Sequence, residues 1–142
     1  MNIRDLRPGE YNALIGLWEK AGLSYRPRGR DSRERIMGEM EGGRAFFLVA
    51  DVAGELIGSV LGTHDGRKGW INRLAVLPEH RRQGVAAALV TEVEARLLQQ
   101  GIEIVTCLIE GWNRDSMRFF DRIGYVAHPD ITYYSKRRTE NV

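Results

Sequence analysis

The stretch of this chain whose residue types and spacing could do chemistry runs from Leu74 to Leu89. It reads Leu74-Ala75-Val76-Leu77-Pro78-Glu79-His80-Arg81-Arg82-Gln83-Gly84-Val85-Ala86-Ala87-Ala88-Leu89. An apolar, strand-like run stops at Pro78, turns through two arginines, and meets a small residue at the mouth of a helix. A helix N-terminus exposes about four unpaired N–H groups and a partial positive charge. Gly84 and Ala86 carry no bulky side chain to hold a phosphate away from those donors, and Arg81 and Arg82 add full charges beside them. The pattern predicts a pyrophosphate site. The plainer alternative gives Gly84 only the relief of a tight turn and leaves both arginines in solvent. Neither Gly-x-x-x-x-Gly-Lys-Ser/Thr nor Gly-x-Gly-x-x-Gly occurs, so a nucleotide triphosphatase or dinucleotide oxidoreductase loses its main support.

The elements that must position this segment follow from periodicity. Val85–Gln100 is the strongest predicted helix: Val85, Leu89, Val93 and Leu97 fall every four residues, and Gly101 stops it. Earlier, a short strand near Met1–Leu6 precedes a helix entered at Pro8 and ended by Gly22. A second helix, Ser32–Glu41, has Ser32 as its N-cap. Ala45–Asp51, Glu55–Thr63 and Trp70–Leu77 read as an antiparallel meander, with Ala53-Gly54 as a hairpin turn. Beyond the strong helix, Ile102–Ile109 reads as a buried strand, Asn113–Ile123 as a helix halted by Gly124, and Ile131–Lys136 as a final edge strand. The expectation is a mixed α/β (α+β) fold, mostly antiparallel, with about 6–7 strands and about four helices.

With 142 residues, 43% hydrophobic and 28% charged, the chain fits one soluble globular domain, residues 1–142. No uncharged run approaches the roughly 20 residues of a membrane-spanning helix, and the first residues lack the apolar core of a signal peptide. One cysteine, Cys107, excludes an internal disulfide and suits a reducing, cytoplasmic setting. Twenty-one basic against 19 acidic residues leave +2, too little to indicate a nucleic-acid partner on charge alone. The basic residues do cluster, at Arg26–Arg35, at Arg81-Arg82 and at Lys136-Arg137-Arg138. Such runs can bind anions locally or simply face water.

The Leu74–Leu89 stretch resembles the acetyl-CoA-binding signature of the GNAT N-acetyltransferase superfamily, Arg/Gln-x-x-Gly-x-Gly/Ala, here Arg81-Arg82-Gln83-Gly84-Val85-Ala86. A second block, Asn113 to Tyr125, is similar to the family's Asn-x-x-Ala/Ser helix followed by a Gly-aromatic pair, here Gly124-Tyr125. Order and separation agree over roughly Ala45–Tyr125; the first forty residues match only in outline. The resemblance implies a V-shaped gap between two parallel central strands, Trp70–Leu77 and Ile102–Ile109. Acetyl-CoA would lie in it as acyl-donor substrate. The backbone of Leu74, Ala75 and Val76 would pair with the pantetheine arm like an added strand. N–H groups of Arg82, Gln83, Gly84, Val85, Ala86 and Ala87, with Arg81 beside them, would take the pyrophosphate. Asn113 would bond the pantetheine or acyl end, and Ser116 and Phe119 would border the cofactor tail. An N–H near Val76 would polarise the thioester carbonyl. On the residues alone, Asn113 is equally a helix N-cap.

The family transfers acetyl directly to an amine, so Cys107 is not needed as a nucleophile and no metal is implied. The acceptor is expected to be a small-molecule, peptide or protein amine, in a monomer or homodimer without nucleic acid or membrane. Glu110 is the leading candidate base, followed by Asp65 and His64. Some relatives carry a glutamate five residues before the asparagine, but that position here is Leu108. Many relatives carry a tyrosine as acid for the thiolate, four residues before the glycine, and that position is Phe120. This departure supports the alternative of a CoA-binding module with little activity. The general base and the acceptor are left open by the sequence.

Overall fold

The computed structural model describes residues 1–142. It orders the chain as β1 (Asn2–Asp5), α1 (Tyr11–Ala21), α2 (Arg33–Glu41), β2 (Ala45–Val52), β3 (Glu55–His64), β4 (Gly69–Val76), α3 (Val85–Gln99), β5 (Val105–Cys107) and α4 (Arg114–Arg122). Ala53 and Gly54 both take positive φ, 51° and 88°, the handedness that matches strand twist in a two-residue hairpin. They join β2 to β3 with Val52 opposite Glu55. Ser32 caps α2 as its residue type predicts, its Oγ accepting the Arg35 N–H at 3.3 Å.

The five strands form one sheet in chain order. β1 to β4 are antiparallel neighbours, and β5 lies parallel to β4. The step from antiparallel to parallel requires a crossover, and α3 supplies it. Successive β3 residues serve opposite faces. Ser59 Oγ accepts the Trp18 indole N–H at 3.0 Å, fixing α1 on one face. On the other face α3 lies so close that side chains would not fit beneath it. A Cβ on Gly58 would stand 2.9 Å from Val85, one on Gly62 2.9 Å from Val93, and one on Gly69 2.5 Å from Leu97. The every-four-residue stripe of α3 is thus seated on three glycines. Twenty-four buried apolar side chains join both faces into one cluster.

Three expectations need correction. The sheet has five strands rather than 6–7, because Ile131–Lys136 is not a strand. Its β-prone side chains find no ladder, leaving Ile131, Tyr133 and Tyr134 exposed by 70%, 66% and 89%; β-propensity needs a packed neighbour to act. The predicted strand Ile102–Ile109 shrinks to Val105–Cys107. Ile102 is spent on the turn after α3, its N–H bonding Leu97 O at 2.9 Å. Past Cys107 the chain leaves the sheet.

Candidate active site

Where β5 ends, β4 continues. The parallel ladder pairs Gly69 with Val105, Trp70 with Thr106 and Ile71 with Cys107, and then stops, while β4 runs on to Val76. The edge of β4 beyond Ile71 therefore has no strand beside it, where the family resemblance implies a V-shaped gap. The backbone pattern tells which groups face it. Leu77 N–H bonds Ile57 O at 2.9 Å, toward β3. Successive residues point their N–H groups to opposite edges, so Val76 N–H is directed into the gap. Ala75 is aligned with Ser59 on β3, and by the same alternation Leu74 shares the free edge with Val76.

This stretch of β4 is bulged. Between Ser59–Ala75 and Leu61–Asn72, two steps on β3 face three on β4. The extra residue is accommodated at Arg73, which takes φ of 54°. For a residue with a Cβ that conformation costs about 1–2 kcal/mol.

The mouth of α3 opens at the end of the same strand. Gly84 is the N-cap with φ 84° and ψ 6°, and Arg82 is also left-handed at φ 63°. Left-handed residues in this turn gather successive N–H groups into a concavity that suits anions. The first hydrogen bond of the helix runs from Ala88 N–H to Gly84 O at 3.0 Å, and the N–H groups of Arg82, Gln83, Gly84, Val85, Ala86 and Ala87 are left without a partner in the chain. Nothing stands within 4 Å of where a Gly84 Cβ would be, so an incoming group has room.

The two arginines differ. Arg81 Nε donates to Val76 O and Arg81 Nη2 to Ala21 O, both at 3.0 Å, which ties the end of β4 to the end of α1. Arg82 is exposed. Gln83 Nε2 makes only a long bond, 3.4 Å, to Glu79 O. Across the gap, Asn113 Oδ1 accepts the Ser116 N–H at 3.2 Å, so Asn113 is the N-cap of α4. Ser116 and Phe119 are half-buried on that helix. Glu110 is exposed on the segment that leaves the sheet after β5, and its carbonyl accepts the Asn113 N–H at 2.9 Å.

The profile of the Acetyltransferase (GNAT) family matches residues 11–125 of this chain. The chain belongs to that family. It is 31% identical over 141 residues to Acetyltransferase SG1711 of Sodalis glossinidius (strain morsitans), covering 99% of this chain and 98% of that protein. Its fold is similar to that of AAC(6')-Iy solved with the bisubstrate analog CoA-S-monomethyl-acetylneamine, with TM-score 0.80, 18% identity, and 96% and 97% of the two chains covered. It is likewise similar to the PaiA N-acetyltransferase of Thermoplasma acidophilum solved with coenzyme A. There the TM-score is 0.79, the identity 20%, and the coverage 89% and 90%. The protein is an acetyltransferase.

The acetyltransferase separates the remaining candidate groups by position. His64 ends β3 opposite Gly69 and Asp65 opens the turn that follows, at the end of β4 that pairs with β5, far along the strand from the gap. Asp65 Oδ1 accepts the Arg67 and Lys68 N–H groups at 2.8 Å, and these bonds, the one from Lys68 first, hold its carboxyl below the usual range. His64 is engaged at both ring nitrogens, by Gln100 Oε1 at 2.6 Å and Gly66 N–H at 3.0 Å. Neither is free to move a proton at the gap. Cys107 is half-buried, and burial pushes its thiol up, which disfavours the thiolate a nucleophile needs. Tyr125 donates its hydroxyl to Glu94 Oε2 at 2.7 Å; burial first and this bond second push the phenol up. Phe120 is buried edge-to-face against Phe119 and Tyr125, with centroids 5.0 Å apart in each case.

Sequence reading missed one group near the gap. Arg73 Nη2 meets Asp31 Oδ2 at 2.5 Å, and Arg73 Nη1 donates to Ser24 O. The guanidinium also lies 5.0 Å from the Trp18 ring centroid. Asp31 stands 42 residues away in sequence, so no local pattern links the two. The one signal available was an aspartate within an arginine-rich run. Glu39 of α2 lies close enough to Asp31 to feel it, and burial first and that neighbour second push its carboxyl up.

Proposed function

We propose that this chain, acting as one domain over residues 1–142 in the cytoplasm, binds acetyl-CoA across the gap and acetylates a primary amine directly. The acceptor is a small molecule or a peptide or protein amine. The observation that carries the reading is the run of unpartnered N–H groups from Arg82 to Ala87, opening beside a β4 edge that lacks a strand. An anion satisfies the first and an extended amide chain satisfies the second. CoA offers both, a pyrophosphate and a pantetheine arm, on one molecule.

In this reading Arg82, Gln83, Gly84, Val85, Ala86 and Ala87 hold the pyrophosphate through backbone N–H groups, with the Arg82 charge beside them. Leu74, Ala75 and Val76 line the pantetheine arm, and by the alternation described above the direct bonds fall to Leu74 and Val76. Val76 N–H meets the thioester oxygen and stabilises the charge that develops there. Arg81 takes the Val76 carbonyl, removing a partial negative charge from the same place. Asn113, Ser116 and Phe119 form the facing wall on α4. The amine nitrogen attacks the carbonyl carbon; the N–C bond forms, the C–S bond breaks, and the nitrogen's proton leaves to solvent while CoA departs as thiol or thiolate. Neutralising a lysine amine at pH 7 costs roughly 4–5 kcal/mol, an α-amine around 1. A base therefore matters most for the lysine case, and Glu110, exposed on the segment flanking the gap, is the carboxylate we assign to it, acting through water.

The test is a thermal melt and a thiol-release assay. Acetyl-CoA is expected to raise Tm of the wild type by linkage, and thiol release to appear on an amine panel. Gly84→Glu sets a carboxylate in the phosphate position and is expected to abolish both. Unchanged melting in millimolar acetyl-CoA would refute the proposal.

A further inference from the structure

Arg73 bears two burdens that its neighbours in β4 do not: a left-handed backbone at φ 54°, and a charged head whose side chain is only 13% exposed. Glycine would fill the bulge without strain, and a shorter side chain would avoid burying a cation. What the arginine does is gather one segment. Its two terminal nitrogens bond Asp31 and Ser24, at the two ends of the Ser24–Asp31 stretch between α1 and α2. Asp31 holds that stretch from inside, its Oδ2 also accepting Arg26 N–H at 2.7 Å and its carbonyl accepting Tyr11 OH at 2.7 Å. The circuit closes through the bulge itself. Trp18, under the guanidinium, donates to Ser59 Oγ, and Ser59 Oγ donates to the Arg73 carbonyl at 3.2 Å. Backbone and side chain of one residue are thus fastened to the α1 face together.

The placement relative to the gap gives this circuit a consequence, and here the argument rests on the function proposed above. CoA reaches the gap from the mouth of α3, on one face of the sheet. The thioester is then open to attack only from the other face, where α1 and the Ser24–Asp31 segment lie. We propose that Arg73 is a positioning residue that clamps the Ser24–Asp31 segment over the β4 bulge as the acceptor-side wall of the gap, admitting the amine while keeping bulk water off the thioester. Arg73 touches neither substrate; it acts through Asp31, Ser24 and Trp18.

The experiment compares wild type, Arg73→Gly and Arg73→Lys. Glycine tolerates the backbone conformation, so the fold survives the loss of the guanidinium; lysine restores a cation of similar reach. Amide hydrogen exchange at Arg26, Gly29 and Asp31, whose N–H groups are bonded within the segment, is expected to quicken about tenfold or more in Arg73→Gly, with α3 unchanged. CoA affinity by calorimetry is expected to stay within about twofold, while acetyl-CoA hydrolysis without any amine rises about threefold or more as water enters. Arg73→Lys is expected to recover part of both effects. Exchange in the segment that does not quicken, or that quickens with no change in hydrolysis, overturns the proposal; so does a loss of CoA affinity that parallels the change. If wild type fails to bind CoA, the function proposed above falls. The exchange result on the free protein then still decides whether Arg73 holds the segment.

Discussion

Arg81 Nε donates to the carbonyl of Val76 at 3.0 Å, so one of the two signature arginines is committed to the strand that precedes it. Its other contact, Nη2 to Ala21 O, reaches the end of α1. Both bonds are charge-assisted, and losing them leaves the Val76 carbonyl on the free edge without a partner. Arg82 has no such commitment. The pair is therefore expected to divide on substitution. Arg81→Ala is expected to lower stability by about 1–2 kcal/mol and to reduce acetyl transfer through the displaced Val76 edge. Arg82→Ala is expected to leave Tm nearly unchanged and to weaken CoA far more than dephosphorylated pantetheine, because the residue acts by charge. Melting curves and binding to the two ligands measure the split; equal losses on both ligands would count against the charge role of Arg82.

The seat of α3 gives a second expectation. A Cβ at Gly62 would lie 2.5 Å from Phe46 Cε2 and 2.9 Å from Val93 Cγ1. One contact is a half-buried aromatic ring and the other a side chain of the helix itself, so the ring and the helix must shift to make room. Overpacking of this kind costs about 1–3 kcal/mol. Because the unpartnered N–H groups proposed to hold the pyrophosphate are at the mouth of that helix, Gly62→Ala is expected to weaken CoA binding as well as lower Tm, although it touches no part of the proposed site. Calorimetry below the new Tm checks it.

How much of this was legible in the sequence depends on distance along the chain. The mouth of α3 is written within a few residues: Pro78, the basic turn, Gly84, then an apolar stripe every fourth position. The Asn113 cap is equally local, and its Oδ1 does accept the Ser116 N–H. The resemblance implies a gap between two long parallel strands, whereas the gap exists because β5 has only three residues and β4 outruns it. Nothing local to Leu108–Glu110 announces that departure, since Leu108 and Ile109 are as apolar as the strand before them. Ile131–Lys136 failed in the opposite sense: its residues favour a strand, but no neighbouring edge takes them. Arg73 and Asp31 were invisible, because a bulge and a pairing across 42 residues are products of the fold.

An acid-side prediction comes from the first strand. Arg4 bonds Glu10 through both terminal nitrogens at 2.8 Å and Asp51 Oδ2 through Nε and Nη2 at 3.1 and 2.9 Å, tying β1 to β2 and to the entry of α1. The Arg4 bond, first among several causes, holds the Glu10 carboxyl at about 2, below its ordinary 4.5. A depressed folded value means the stabilisation is complete above pH 4.5 and is lost as pH falls toward 2. The pair is partly open to solvent, with side-chain exposures of 13% and 20%, so its worth is about 1 kcal/mol. Glu10→Gln is expected to lower Tm at neutral pH and to flatten the stability slope across that window. A variant whose acid unfolding matches wild type would show the pair contributes nothing.

The last expectation concerns Phe120. Its ring is 6% exposed and packs edge-to-face on Phe119 and Tyr125, where many relatives carry a hydroxyl. The loss is affordable on chemical grounds. A thiol has pKa about 8.5, so at pH 7–8 its thiolate lies within about 1–2 kcal/mol of the acid. Protonating it in the transition state helps less than protonating an alkoxide would. The nearby tyrosines do not replace the missing group: Tyr125 spends its hydroxyl on Glu94, and Tyr133 and Tyr134 are exposed on the unpaired tail. Solvent is then the expected proton source, and wild type is expected to transfer acetyl at a rate that rises with pH as the acceptor amine loses its proton. Phe120→Tyr is expected to change kcat by no more than about tenfold, or 1.4 kcal/mol. Its hydroxyl must find a partner within the Phe119–Tyr125 packing, and an unmet one costs about 1–3 kcal/mol of stability. Steady-state thiol release on a broad amine panel measures the rates. A wild type that binds acetyl-CoA but stays silent, with activity appearing only in Phe120→Tyr, would mean that the hydroxyl is indispensable to this reaction.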